Sequence, residues 1–200
     1  MKTYRINEIF YSLQGEGFYA GTPAVFIRFS GCNLRCPFCD TKHKSGKQME
    51  WTQIKERIEE CCYFGLPKLV VLTGGEPSFF ADEELCRNLG EIFSIIAMES
   101  NGTHTPPVGV DFLTISPKSD FVPDAEVIVK SCNELKLVFD GEHYPEPWIE
   151  KIHATHYFLQ PCDKGSLEEN EEIINHCVAY IKAHPVWRLS LQTQKIIKVQ

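Results

Sequence analysis

The chain has 200 residues, of which 43% are hydrophobic and 24% are charged, values that suit one globular domain and exclude collagenous and disordered classes. No apolar run approaches the roughly 18 residues that cross a bilayer, which excludes a membrane-spanning class. Twenty Lys and Arg against 27 Asp and Glu give a net charge of −7, so we expect no nucleic-acid partner. The first residues lack the apolar run and cleavage site of a secretory signal, and we expect a cytoplasmic protein.

Seven short apolar or β-branched runs have the length of strands, and helical patterns lie between several of them. The predicted strands are 24–29, 68–72, 95–100, 112–116, 134–139, 156–160 and 188–192. Apolar residues spaced by three or four positions predict helices over 51–61, 82–93 and 168–184. This alternation predicts βαβ units around a parallel sheet, and residues 1–200 are treated as a single α/β domain.

Polar residues follow several of the predicted strands. Ligands of parallel sheets bind at the carboxyl ends of the strands, so these residues are candidates for a site. They are Thr73 to Glu76, Glu99 to Asn101, Ser116 to Lys118, Gln160 and Gln192.

Three of the nine cysteines lie close together, at Cys32, Cys36 and Cys39, on a loop that follows the first predicted strand. Their thiolates can converge on one metal centre, and both structural zinc and [4Fe–4S] clusters usually take four protein ligands. His43 could complete a zinc site, whereas three cysteines alone would leave one iron of a cluster open. The spacing is therefore compatible with a zinc-binding interaction module and with an iron–sulfur centre.

This cysteine pattern, with Phe38 just before the last cysteine, resembles the signature of radical S-adenosylmethionine (SAM) enzymes, and the TGGEP segment at 73–77 supports the likeness. The resemblance implies that Cys32, Cys36 and Cys39 hold a [4Fe–4S] cluster whose open iron binds SAM. Reductive cleavage of SAM then yields a radical that abstracts a substrate hydrogen, with electrons from a donor such as flavodoxin or ferredoxin. The implied SAM contacts are Phe38, Cys39, Asp40, Gly75, Glu76, Ser116, Pro117, Lys118, Gln160 and Asp163.

The segment EIFYSLQGEG at 8–17 closely resembles the start of the 7-carboxy-7-deazaguanine synthases, and the likeness continues through ESNGT, SPK, LKLV, LQP and LQTQK. It implies a shortened, partly open (β/α)6 radical SAM barrel that forms a homodimer. The implied substrate is 6-carboxy-5,6,7,8-tetrahydropterin, which loses ammonia to give 7-carboxy-7-deazaguanine. The residues implied to bind it are Leu13, Gln14, Gly15, Glu16, Arg28 on the carboxylate, Thr73, and Gln200 through a terminal carboxylate.

The same resemblance assigns Thr41 to a magnesium ion, whose hard charge suits a hydroxyl ligand. The chain departs from the family where LQTHK is usual, because Gln194 replaces the histidine, and Lys198 replaces a later glycine. A glutamine keeps one hydrogen-bonding role of a histidine but cannot titrate near neutrality. The nearest alternative is a glycyl-radical activating enzyme, which shares the cysteine loop but would not need the 8–17 and 191–195 segments.

Overall fold

The computed structural model describes residues 2–41, 45–63, 65–123 and 125–199, and within them nine strands form one continuous sheet. The strands are β1 (Thr3–Leu13), β2 (Pro23–Phe29), β3 (Lys47–Glu50), β4 (Leu69–Gly74), β5 (Ile95–Ser100), β6 (Phe112–Ile115), β7 (Ser131–Phe139), β8 (His153–Pro161) and β9 (Arg188–Leu189). Their spatial order is β3-β1-β2-β4-β5-β6-β7-β8-β9.

Strands β2 and β4 to β9 pair in parallel, whereas β1 is antiparallel to both β2 and β3. The edge strands β3 and β9 stand at opposite ends of the order, so the sheet is open. The predicted open, mostly parallel α/β barrel is confirmed. The antiparallel strands β1 and β3 were not predicted. Polar residues of β1 are buried or half-buried by its pairing with two strands, so β1 does not show the alternation that marks a strand in sequence.

Five α-helices are present in the described residues: α1 (Trp51–Cys61), α2 (Glu83–Gly90), α3 (Glu146–Lys151), α4 (Leu167–Ala183) and α5 (Thr193–Ile197). Asp82 caps α2 by accepting a hydrogen bond from the Leu85 amide at 2.9 Å. Helices α1, α2 and α4 confirm the three predicted helices, although α2 ends earlier than expected.

Two features of the carboxyl-terminal part differ from the prediction. The strand expected over 188–192 is limited to β9, and the short helix α5 follows it. Gln192 and Gln194, at the start of α5, both donate hydrogen bonds to Glu16, and these contacts hold the segment against the turn after β1. None of the helices in the described residues has the length and hydropathy needed to cross a membrane.

The two faces of the sheet carry different cores. Ile54 and Ile58 of α1, and Leu85 of α2, belong to the larger cluster on the face covered by helices. The smaller cluster contains Phe10 and Phe26, whose rings stack with centroids 4.9 Å apart. These two rings also line the main cavity of the protein, so this cavity lies on the face opposite the helices.

Candidate active site

A cavity of about 550 Å³ collects the carboxyl ends of the parallel strands, a volume within the range of small-molecule sites. Most residues that the sequence nominated lie on its wall. They are Leu13, Gln14, Gly15, Glu16, Arg28, Cys32, Cys36, Phe38, Cys39, Asp40, Thr41, Thr73, Gly75, Glu76, Ser116, Lys118, Gln160 and Asp163. Pro117 is buried and does not line the cavity in the part of the chain that the structure describes. Gln200 and His43 lie outside the described residues.

The cysteine loop, residues Gly31 to Thr41, is held at its base by neighbouring strand ends. The Gly31 carbonyl oxygen accepts a hydrogen bond from the Glu76 amide at 2.9 Å. The Asn33 side chain accepts one from the Asn101 amide group at 3.0 Å and donates one to Thr103 at 2.9 Å. The ends of β4 and β5 therefore fix where the loop enters the cavity.

Cys32 and Cys36 are partly buried, and Cys39 is exposed. Burial raises the pKa of the Cys32 and Cys36 thiols, and Lys118 acts against this rise at Cys36. In the described part of the chain no three Cys, His, Asp or Glu side chains are gathered closely enough to form a finished metal site. Even so, three thiols on one loop facing one cavity provide the soft donors that an iron–sulfur cluster requires, and the residues fit that group.

The turn after β4 requires glycine because it runs against the cysteine loop. A Cβ atom at Gly75 would lie 1.8 Å from the Gly31 carbonyl oxygen. Glu76, which follows, is buried and accepts hydrogen bonds from the Ser78 hydroxyl at 2.7 Å and from the backbone amide of Asn101 at 2.7 Å. Its carboxylate thus joins the ends of β4 and β5, and a contact with the SAM ammonium stays a prediction.

On another part of the wall, the turn after β1 presents Glu16. Its carboxylate accepts hydrogen bonds from Lys136 at 2.6 Å, Gln192 at 3.0 Å and Gln194 at 2.9 Å. Burial acts to raise the pKa of Glu16, but Lys136 and the two amides outweigh burial and lower the pKa to about 2. Glu16 is therefore an anion at any physiological pH.

Glu99 extends this network from β5. One of its oxygens accepts a hydrogen bond from Gln14 at 2.9 Å and lies 3.5 Å from the Lys136 ammonium. Glu134 is buried on β7 and accepts a hydrogen bond from the Phe18 amide at 2.7 Å. Burial raises the pKa of Glu134, and the nearby Lys136 acts against that rise.

The segment Gln192 to Lys195, called the 192–195 segment below, closes over the turn after β1. The Thr193 hydroxyl donates to the Gly15 carbonyl at 2.7 Å. The Oε1 atom of Gln194 is buried against Gly15 and has no hydrogen-bond partner within the described chain. Lys195 lies 3.0 Å from Asp40 and 2.8 Å from Asp163, and thereby connects the cysteine loop to the end of β8.

Asp163 is held by three donors, from Lys195, Asn170 and the Gly165 amide, which lower its pKa to about 2. Gln160, the next-to-last residue of β8, accepts a hydrogen bond from the Ser190 hydroxyl at 3.0 Å. Both predicted SAM contacts therefore already have partners within the chain.

Two predicted cationic contacts also have internal partners. Arg28 lies 2.6 Å from Glu8 and places its guanidinium 4.9 Å from the centroid of the Phe10 ring. The Lys118 ammonium donates to the carbonyl and the hydroxyl of Ser116, each at 2.6 Å. Burial lowers the pKa of Lys118 to about 8.

Lys136 and Lys195 line the cavity, but sequence reasoning gave them no role, and Gln194 was noted only as a departure from the family. A signal for Lys136 was present, since Glu134 and Lys136 alternate with Leu135 and Leu137 in a buried strand. Charged residues rarely occupy such positions unless they are paired. Partners from residues 16 and 99 could not be read from the pattern, because they are distant in sequence.

Comparisons with known proteins agree with this arrangement. Residues 26–186 match the radical SAM superfamily. The 7-carboxy-7-deazaguanine synthase of Bacteroides thetaiotaomicron is 43% identical over 197 residues, covering 98% of both chains. The synthase of the same name from Caulobacter vibrioides is 39% identical, with 98% of each chain covered. A crystal structure of QueE from Escherichia coli superimposes with a TM-score of 0.76 and 25% identity, over 94% of this chain and 93% of that one.

Proposed function

The chain belongs to the 7-carboxy-7-deazaguanine synthases, radical SAM lyases of queuosine biosynthesis, and we propose that its cavity converts 6-carboxy-5,6,7,8-tetrahydropterin to 7-carboxy-7-deazaguanine with loss of ammonia. The observation that carries this proposal is the single cavity whose wall includes both the three-cysteine loop and the turn from Gln14 to Glu16. Family membership replaces the two alternatives raised by the sequence, a zinc-binding module and a glycyl-radical activating enzyme.

Cys32, Cys36 and Cys39 would hold the [4Fe–4S] cluster of the family. When bound, the cluster and SAM supply abstraction of a hydrogen atom from the substrate. The residues Phe38, Asp40, Gly75, Glu76, Ser116, Pro117, Lys118, Gln160 and Asp163 are the proposed SAM contacts. In support of this assignment, all of them except Pro117 line the cavity beside the cysteine loop.

The turn after β1 is the proposed binding site for the pterin ring. Glu16 is a fixed anion that can accept hydrogen bonds from the donor edge of a pterin, and Gln14 offers an amide nearby. Gln194, in place of the family histidine, supports this turn by donating a hydrogen bond to Glu16 at 2.9 Å. Leu13, Gly15 and Thr73 complete the proposed pterin contacts, and Gln200 is proposed from the resemblance alone.

Arg28 is the proposed partner of the substrate carboxylate. Its Nη1 atom lies 2.6 Å from Glu8, and a guanidinium has five donors in a planar fork. Its other donors can therefore meet a second carboxylate, and cation–π contact with Phe10 limits its rotation.

Magnesium, the dimer, the reductant and the compartment are parts of the same proposal. Thr41 lines the cavity one position after Asp40, so its hydroxyl can serve as a ligand to magnesium while the substrate and water complete the shell. We further propose a homodimer in the cytoplasm that accepts electrons from a flavodoxin or ferredoxin. Thr41→Ala should weaken the response of activity to added magnesium, with Thr52→Ala, at an exposed position of α1, as the matched control.

The decisive experiment is anaerobic incubation of the cluster-loaded enzyme with SAM, a reductant and the carboxytetrahydropterin. The expected result is a product with the mass of 7-carboxy-7-deazaguanine. A cluster-loaded enzyme that cleaves SAM but leaves the pterin unchanged would contradict the proposed substrate.

A further inference from the structure

Lys136 lies at the centre of the charged network and has no role in the assignments above. Its side chain is 6% exposed, although it carries an ammonium group. The nitrogen is 2.6 Å from Glu16 and 3.5 Å from Glu99. A lysine this deeply buried is uncommon in proteins unless its charge is compensated.

Carboxylates outnumber cations around this group. Glu16 approaches from the turn after β1, Glu99 from β5 and Glu134 from β7 itself, and all three act to raise the pKa of Lys136 against the effect of burial. Lys118, from the segment after β6, is the other cation that acts on Lys136. Lys118 donates its hydrogen bonds to Ser116, so Lys136 is the cation that bonds Glu16 directly.

The remaining donors to Glu16 are neutral. Gln192 and Gln194 both donate to its Oε1 atom, whereas Lys136 holds Oε2. Two amides satisfy hydrogen bonds but do not compensate the charge of a buried carboxylate, whose neutral form burial favours. Without the ammonium, Glu16 would take up a proton more readily and would meet a ligand partly as a donor.

We propose that Lys136 is a positioning residue of the substrate site, whose buried ammonium orients the Glu16 carboxylate and keeps it anionic so that Glu16 accepts hydrogen bonds from the substrate. This inference rests on the proposed function, which puts the pterin on Glu16. In this role Lys136 acts on the substrate through another side chain.

The test measures binding of the carboxytetrahydropterin to the cluster-loaded enzyme with SAM and without reductant, from pH 6 to pH 9. Lys136→Met should weaken binding most at low pH, roughly ten- to hundredfold, because a charge-assisted hydrogen bond is lost when Glu16 is protonated. Binding should recover as the pH rises through the raised pKa of Glu16. Wild type and Lys136→Arg should show no such step.

Two further variants assign the titrating group. The double variant Glu16→Gln with Lys136→Met removes both buried charges, and it should bind weakly with no pH step. Glu99→Gln in the Lys136→Met background should keep the step. A loss in Lys136→Met that is equal at every pH, or a step that survives in the Glu16→Gln double variant, would overturn the proposal.

A measurement without substrate separates this inference from the proposed function. A double-mutant cycle of Glu16→Gln and Lys136→Met on thermal unfolding should show that the two positions are coupled. If wild type does not bind the pterin while this coupling is present, the assigned substrate is wrong and the Lys136–Glu16 pair stands. If Glu16→Gln binds the pterin as wild type does, Glu16 is not a substrate contact and the Lys136 proposal falls with it.

Discussion

The cysteine loop and the substrate wall, the latter formed by Gln14 to Glu16, Lys136 and the 192–195 segment, are organised in opposite ways. On the substrate wall, Glu16 alone accepts three hydrogen bonds of 2.6 to 3.0 Å. The Cys32 and Cys39 sulfur atoms make their contacts, at 3.4 to 3.9 Å, with neighbours in the same loop, Asn33, Leu34 and Thr41. The wall is therefore organised by its own side chains before a ligand arrives, whereas the loop is fixed at its base and takes its final geometry from what its thiols bind.

The largest effect should follow from removing any one thiol of the loop. Cys32→Ala, Cys36→Ala or Cys39→Ala should abolish activity and most bound iron, because only two protein ligands would remain. Iron and sulfide per chain after anaerobic purification measure this directly. Cys61→Ser is the control, since Cys61 lies on α1 away from the cavity, and full iron content in any loop variant would refute the ligand assignment.

A second large effect should come from the base of the loop. In Gly75→Ala the new methyl group would press on the Gly31 carbonyl oxygen, and such overpacking costs about 1–3 kcal/mol. We expect both a lower free energy of unfolding and poor cluster retention, measured by thermal unfolding and by iron content.

The matched control for this substitution is Gly90→Ala. A Cβ atom there meets nothing within 4 Å, so this change should stabilise the protein by about 0.4–1 kcal/mol. Equal behaviour of the two variants would mean that the close approach of Gly75 to the loop does not matter.

A moderate effect is expected where the substrate wall meets the pterin carboxylate. Arg28→Ala should weaken binding of the carboxytetrahydropterin by roughly ten- to hundredfold, the value of a charged hydrogen bond. SAM binding should not change, and the dissociation constants of both ligands can be compared by titration. Arg57→Ala, on the exposed face of α1, should leave both constants unaltered.

The smallest effect concerns pH and the aromatic packing of the turn after β1. His156 stacks on Phe18 with ring centroids 4.3 Å apart, and burial together with Arg188 lowers the pKa of His156. The pKa of His156 is lower in the folded protein than in the unfolded chain, so protonation of His156 favours unfolding. Its contribution to the free energy of unfolding is therefore complete above pH 6.5 and declines as the pH falls.

The melting temperature should therefore drop modestly between pH 8 and pH 5.5, and His156→Gln should reduce that part of the drop. An identical pH dependence in the variant and wild type would show that His156 does not contribute.

Periodicity predicted the parallel strands and the three longer helices because apolar side chains repeat there with a clear period. It missed β1 and β3, which alternate less clearly and are stabilised by pairing at the edge of the sheet. The motifs predicted many residues of the cavity wall, because the loops at the strand ends contain the sequence motifs that resemble the family.

The partners of those residues could not be predicted in the same way. Lys136 is a single charged residue in an apolar strand. Its pairing with Glu16 depends on the tertiary fold, which brings the two residues together across 120 positions of sequence. Gln194 was recognised as a departure, but the hydrogen bond to Glu16 and the unpartnered oxygen depend on the turn into α5.

The contact of the 192–195 segment with the turn after β1 also bears on the order in which the protein assembles. Gln192 and Gln194 reach Glu16 across 176 and 178 positions of sequence, so these hydrogen bonds close a very long loop. Contacts of this kind carry the entropy of loop closure, so we expect them to form late in folding. The three cysteines lie within one short loop beside β2 and β4, and they can be brought together earlier. We therefore expect the thiol ligands to be in place before the substrate wall is complete.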